Sequence, residues 1–265
     1  MILSFLMSAL ALPQEQAPAE IPKLATAQAQ LDHAKEVKKE SRGTKGAARA
    51  AALDRACAAY GAVLEYWPDS GAITAEAAFR QGEIHRTQGR PGPAKGAFLV
   101  AVEQGAGTRF APRGLLEIGH IHRRAAEFPQ ALKSYAAVLK RQEASLRDRN
   151  DAFEWIGKVH LQLQEWPEAA QAFRSWADNA EGPVELVRAA DLECQALAAG
   201  GDPATARRRF DEVTAQVEPL AAEPGKEAVR LRKALERCKA PAAIAAAEEK
   251  AAAASAAAAG GAGVG

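Results

Sequence analysis

Cysteine is scarce. Cys57, Cys194 and Cys238 are the only three in 265 residues, and no CxxC pair or zinc-like Cys/His spacing accompanies them. A disulfide framework and a structural metal are therefore excluded, and each cysteine reads as a small buried or half-buried residue. Neither sign of charge prevails, with 34 Lys+Arg against 33 Asp+Glu and a net charge of +1. Such balance lacks the basic footprint of a nucleic-acid binder, so no nucleic-acid partner is expected. Aromatics make up only 6%, and alanine supplies 65 residues, about half of the 48% hydrophobic share. The larger apolar side chains are too few for the thick core of a sandwich or barrel. No stretch alternates apolar and polar residues in the period of a strand.

Catalytic signatures are missing as well. There is no G-x-S-x-G, no H-E-x-x-H, no phosphate-binding loop, and no G-x-G-x-x-G placed between a strand and a helix. The glycines near Gly89 and Gly92 alternate with Pro91 and Pro93, which cannot donate backbone hydrogen bonds, so they form a turn and no phosphate cradle. Carboxylates such as Glu83 and Glu117 are scattered without a defined pair. Neither an enzyme nor a cofactor site is expected.

Long hydrophobic runs are absent except at the start. Residues 1–12 read MILSFLMSALAL, too short to span a bilayer. Their length and the Ala9-Leu10-Ala11 site are those of a secretory signal peptide covering residues 1–11, although no basic residue precedes them. The expectation is a periplasmic or secreted protein with no transmembrane segment after processing, the alternative being a cytoplasmic one. A Pro-flanked linker and a polar helix fill residues 12–43, and a repetitive helical region spans 44–219. A capping helix follows at 220–239, with Val229, Leu231 and Leu235 as its apolar residues. Residues 240–265 form a disordered Ala/Gly-rich tail that builds nothing.

Alanine, Glu, Lys, Arg and Leu favour helix, and turn signals break the middle of the chain about every 15 to 20 positions. These breaks carry a period of about 37–38. Gly82, Gly119 and Gly157 recur at that interval, and Cys194 continues it. Twelve positions after each comes an alanine: Ala94, Ala131, Ala169 and Ala206. Four further on comes an aromatic: Phe98, Tyr135, Phe173 and Phe210. Ala56 and Tyr60 repeat the pair upstream.

A small residue in one helix, then an alanine and an aromatic in the next, resembles the tetratricopeptide repeat. Turns such as Glu127-Phe128-Pro129 and Glu165-Trp166-Pro167 resemble it too, as does the closing proline of Tyr66-Trp67-Pro68. The resemblance implies an all-α, right-handed superhelical solenoid of antiparallel helix pairs, with some kinship to exported envelope proteins of this type. Small residues would permit close helix crossing, and each aromatic would fill the gap to the next unit. The tyrosine usually found three positions after the small residue is replaced by His85, His122, His160 and Leu197. The histidines are read as intra-repeat packing positions, since equivalent residues lie a whole repeat apart, too far to share a metal.

The first helix of each unit would line a concave groove. Its candidates are Glu83, Arg86, Arg113, Leu116, His120, Arg123, Asp151, Glu154, Lys158 and Arg188, with Glu76, Phe79, Leu161, Asp191 and Gln195 beside them. Arg113, Arg123 and Lys158 are expected to select a protein or peptide partner bearing carboxylates, through charge-assisted hydrogen bonds. The basic runs at 147–149 and 207–209 are expected to be solvated faces or helix-end charges. The expected function is a non-catalytic protein–protein interaction scaffold, with a homo-oligomer built through solenoid ends or convex face as the alternative.

Overall fold

The computed structural model describes residues 21–261; the expected signal peptide at 1–11 lies outside them. Twelve helices follow one another: α1 (Ala27–Lys39), α2 (Gly46–Tyr66), α3 (Ala72–Thr87), α4 (Pro91–Gln104), α5 (Phe110–Arg124), α6 (Phe128–Leu139), α7 (Leu146–Leu163), α8 (Trp166–Asp178), α9 (Pro183–Ala199), α10 (Pro203–Ala222), α11 (Lys226–Glu236) and α12 (Ala240–Gly261). No strand occurs among the described residues. The fold is an all-helical repeat solenoid.

Local chemistry sets where the helices start. Proline occupies the first or second position of α4, α6, α8, α9 and α10, where its missing N–H costs no helical bond. Ser145 and Asp148 cap α7 reciprocally. The turn inside each pair also repeats. Gly89, Ala126, Gln164 and Gly201 all take positive φ, at the same interval that separates the small residues. After each, the next residue donates its N–H back to the carbonyl of His85, His122, His160 or Leu197 at 2.9–3.0 Å. Together with the shorter-span bonds to Arg86, Arg123, Leu161 and Ala198, these are four Schellman caps.

Packing follows the period. A Cβ placed on Gly82 would stand 2.6 Å from the Phe98 ring, and one on Gly157 would stand 2.5 Å from Phe173. Gly119 meets Tyr135 in the same way. The aromatic of each second helix therefore lies on the small residue of its own first helix. This refines the expectation that it fills the gap to the next unit, although Phe98 also belongs to a cluster reaching Phe110 in the following helix. Ala94, Ala131, Ala169 and Ala206 are all fully buried. The buried clusters form a chain of small cores in which alanine recurs.

Both ends differ from expectation. The array starts before residue 44, because Leu31 and Ala34 of α1 share a cluster with Ala56 and Tyr60 of α2. The connection at 40–45 stretches the spacing from Ala34 to Ala56 well beyond that from Gly82 to Ala94, which hides this first pair from a search at the shorter interval. Pro219 does not end the array; α10 runs through it to Ala222, its last turns held by Val217 and Ala221 against Leu231. In α11 the buried residues are Ala228 and Leu231, whereas Val229 is exposed. The tail is not structureless either. α12 buries Ala240 and Ile244 completely against Cys194, Ala198 and Ala206 of the last pair, with Phe210 alongside. One isoleucine among alanines supplies the anchor that composition alone conceals.

Contacts between alternate helices give the stack its curvature. α1 touches α3, α3 touches α5, α5 touches α7, and α9 touches α11, while α2, α4, α6 and α8 make no comparable contacts with each other. Helices α1, α3, α5 and α7 crowd together on the inside, which makes theirs the concave face, whereas α7 and α9 make no comparable contact and α10 packs on α12.

Two substitutions test the glycine packing. Gly157→Ala is expected to lower stability by about 1–3 kcal/mol through overpacking against Phe173. Gly96→Ala, on an exposed turn of α4 with nothing near its Cβ position, is expected to raise it by about 0.5–1 kcal/mol. Urea unfolding of both variants checks the pair, and equal effects would contradict the packing.

Candidate functional site

Three adjoining cavities run along the concave face. The first, about 400 Å³, lies between α3, α5 and α7 and is bordered by Phe79, Arg109, Arg113 and Glu143 among others. A second, about 360 Å³, shares Arg147 and Asp151 with it. The third, about 550 Å³, shares Glu154, Val184 and Arg188 with the second and ends at α11. The inner helices thus carry a row of cavities with shared walls, a segmented trough.

The structure brings most of the sequence candidates to this trough, but in different roles. Glu83, Arg113, Leu116, His120 and Asp151 line the first cavity, and Glu154, Lys158 and Arg188 line the third. Arg86 lies off these cavities, beside Pro91 and Ile121, with its guanidinium 3.4 Å from Glu117. Arg123 lines none of these three cavities; it lies over the Trp155 ring at 4.3 Å. Lys158 sits 4.5 Å over the same ring and bonds Glu154 at 2.5 Å. Two of the three cations expected to select a partner are therefore engaged within the protein. The aromatic partner Trp155, one residue after Glu154, was not singled out in the sequence, where it reads as ordinary core.

Cations without a carboxylate partner stand elsewhere, although Arg109 lies 5.1 Å over the Phe110 ring and Arg113 5.8 Å over the Phe79 ring. Among the described residues Arg109, Arg113 and Arg147 have no carboxylate within 4 Å, and all three are exposed at the first cavity. Arg147 thus belongs to the trough as well as to a helix start, unlike the expectation for the run at 147–149. The run at 207–209 divides too: Arg209 joins Arg174 around Glu193, which is 2% exposed. Burial pushes the Glu193 carboxyl up, against the pull of the two arginines. Burial also raises Glu117, partly offset by Arg86, and raises Asp151, where nearby Glu154 adds to the effect. Glu83, Glu117, Glu143, Asp148 and Asp151 line the first cavity together with Arg109, Arg113 and Arg147.

His120 is the most perturbed imidazole. Its Nδ1 lies 2.8 Å from the Tyr135 hydroxyl, and its ring meets Trp155 edge-on at 5.0 Å. Burial and then the surrounding Arg124, Arg123, Arg86 and Lys158 push its pKa down to about 4. The recurring histidines have a different task. His122 Nδ1 contacts the Glu127 carboxylate, and His160 Nδ1 lies 2.6 Å from Glu165, across the same turns that their carbonyls cap. They fasten the repeat turn, in keeping with an intra-repeat role. In the first such unit Arg90 stands in place of the glutamate, and His85 Nε2 meets Cys57 Sγ at 3.4 Å instead. No group of three His, Cys, Asp or Glu fit to hold a metal occurs among the described residues. None of their helices is long and apolar enough to cross a membrane.

Residues 116–183 match the family profile of the tetratricopeptide repeat. This segment runs from within α5 to the start of α9. The helix pairs on either side share its register. No curated protein matches the chain. Among solved structures, the crystal structure of MamA protein is similar at 17% identity, covering 75% of this chain and 98% of that one, with a TM-score of 0.56. BtubC (BKLC) from P. vanneervenii is similar at 12% identity over 77% and 95% of the two chains, with a TM-score of 0.54. Pseudomonas aeruginosa pilF is similar at 17% identity over 84% and 91%, with a TM-score of 0.51. At these identities the likeness concerns the fold.

The His120 environment makes stability depend on pH. Its pKa is about 4 in the fold and about 6.5 in an unfolded chain. The imidazole's contribution is complete above pH 6.5, where both states are neutral. It is lost as pH falls from about 6.5 to 4, while only the unfolded chain takes up the proton. The loss is expected to reach up to about 3 kcal/mol. His120→Gln should flatten the stability profile over that window in urea titrations; an unchanged slope would contradict the assignment.

Proposed function

We propose that this chain is a non-catalytic scaffold whose concave trough holds an extended or helical segment of a partner protein. The observation that carries the reading is the row of three cavities with shared walls along the inner helices, with Arg109, Arg113 and Arg147 free of carboxylate partners at one end among the described residues. A bound segment would meet an already formed surface, so little ordering of the scaffold would oppose association. Exposed arginines favour carboxylates on that segment because their planar forks donate two parallel hydrogen bonds. Arg113 keeps the selecting role expected from the sequence, and Arg109 and Arg147 take over from Arg123 and Lys158.

The triple variant Arg109→Glu, Arg113→Glu, Arg147→Glu is expected to lose partners captured from a lysate of the source cells while keeping its melting temperature. Unchanged capture by the folded variant would remove the trough from the account. We also propose that residues 1–11 direct export, in support of a role in assembling envelope complexes. Intact-mass measurement of the protein expressed in its source is expected to show a chain beginning near Leu12. An unprocessed chain in the cytosol would overturn export without touching the trough.

A further inference from the structure

The far end of the trough differs in charge from its beginning. The third cavity is walled by α7, α9 and α11, and α11 lies beyond the register of the repeated small residue and aromatic. Five cations border it: Lys158, Arg188, Arg230, Lys233 and Arg237. Only two carboxylates stand with them, and both are consumed. Glu154 Oε1 accepts from Lys158 at 2.5 Å and lies 3.5 Å from Arg188. Asp191 Oδ1 accepts the N–H groups of Lys239 and Ala240 at 2.7 Å each, at the start of α12, and its Oδ2 accepts from Gln195 at 2.8 Å. Arg230 has one exposed contact with Glu227 at 3.6 Å, while Lys233 and Arg237 have no ion pair among the described residues.

The spacing 230, 233, 237 sets these cations on one face of α11, with Arg237 as its C-cap residue. The opposite face, with Ala228 and Leu231, is buried against α9 and α10. Between the cations the cavity floor is apolar, made by Val184, Leu192, Ala234 and Cys238. α11 therefore does more than close the end of the array. It turns three positive side chains toward the trough around an apolar strip.

We propose that this basin is the anchor site for an acidic amphipathic segment of the partner, with apolar side chains on the Val184–Leu192–Ala234 strip and carboxylates against Lys233 and Arg237. The inference rests on the trough reading and deepens it by naming the partner's chemistry and where it is gripped. The occupant's charge follows from the imbalance: the basin's own carboxylates are engaged, so a neutral or basic segment would leave exposed cations facing one another. Its amphipathic character follows from the apolar floor. A recessed cavity of about 550 Å³ suits a protruding segment better than a flat anionic surface.

The test uses the full chain and a display library of random short peptides, selected against the wild type, against Lys233→Glu/Arg237→Glu, and against Arg109→Glu/Arg113→Glu. Lys233 and Arg237 are exposed, and equal melting temperatures establish that the variants fold. The wild type is expected to select peptides that interleave Asp or Glu with apolar residues, with affinity falling as salt rises. Lys233→Glu/Arg237→Glu is expected to weaken the selected peptides by about tenfold or more. If those peptides bind that variant undiminished but lose Arg109→Glu/Arg113→Glu, the trough stands and the basin inference falls. If neither variant weakens them, both fall. Selection of neutral or basic peptides, or of none, overturns the proposal. So does binding to phosphatidylglycerol vesicles that Lys233→Glu/Arg237→Glu abolishes, with no acidic peptide selected.

Discussion

The close seat of an aromatic ring on a glycine carries the architecture. Phe98 over Gly82, Tyr135 over Gly119 and Phe173 over Gly157 bring paired helices together without room for a methyl group. Each contact fixes the rotation of a first helix about its own axis, and therefore which of its side chains point inward. Because the contact returns at a near-constant interval, the same rotation recurs in successive units, and the inner faces join into a trough. A core of single alanines and one ring per unit is thin, so each pair depends on its neighbours for burial.

Turns hold the register as much as packing does. Four Schellman caps end the first helices at equivalent positions, and in two units the histidine whose carbonyl accepts the cap also binds the glutamate beyond the turn through its ring. Histidine in place of the usual tyrosine thus joins a backbone bond to a side-chain bond. Among the described residues the two non-glycines at positive φ, Ala126 and Gln164, occur at these caps, where the strain is offset by the bonds around them.

The repeat was legible because its signals are local: glycine, alanine and ring lie on two consecutive helices joined by a short turn. The first pair and the last helix were not. The long connection at 40–45 disguised α1, and Ile244 in an alanine run disguised the docking of α12. At the trough, helical spacing put Glu83, Arg113, Leu116, His120 and Asp151 on one face, since periodicity encodes direction, and all five line the first cavity. It could not show that Arg123 is held against Trp155, because the helix carrying Arg123 meets Trp155 only through the fold, whereas Lys158 meets Trp155 and Glu154 at helical spacing within α7. Arg109 and Arg147, near helix starts, escaped a count centred on the small residues. The segment 220–239 read as a capping helix, and only the position of α9 reveals that Arg230, Lys233 and Arg237 face a cavity.

A double-mutant cycle between Gly157 and Phe173 tests the dependence of the fold on the ring-on-glycine seat most directly. Gly157→Ala, Phe173→Leu and the double variant would be compared with the wild type by urea unfolding. The account predicts strong coupling, about 1 kcal/mol or more, with alanine at 157 far better tolerated once the ring is gone. Additive effects of the two substitutions would contradict it.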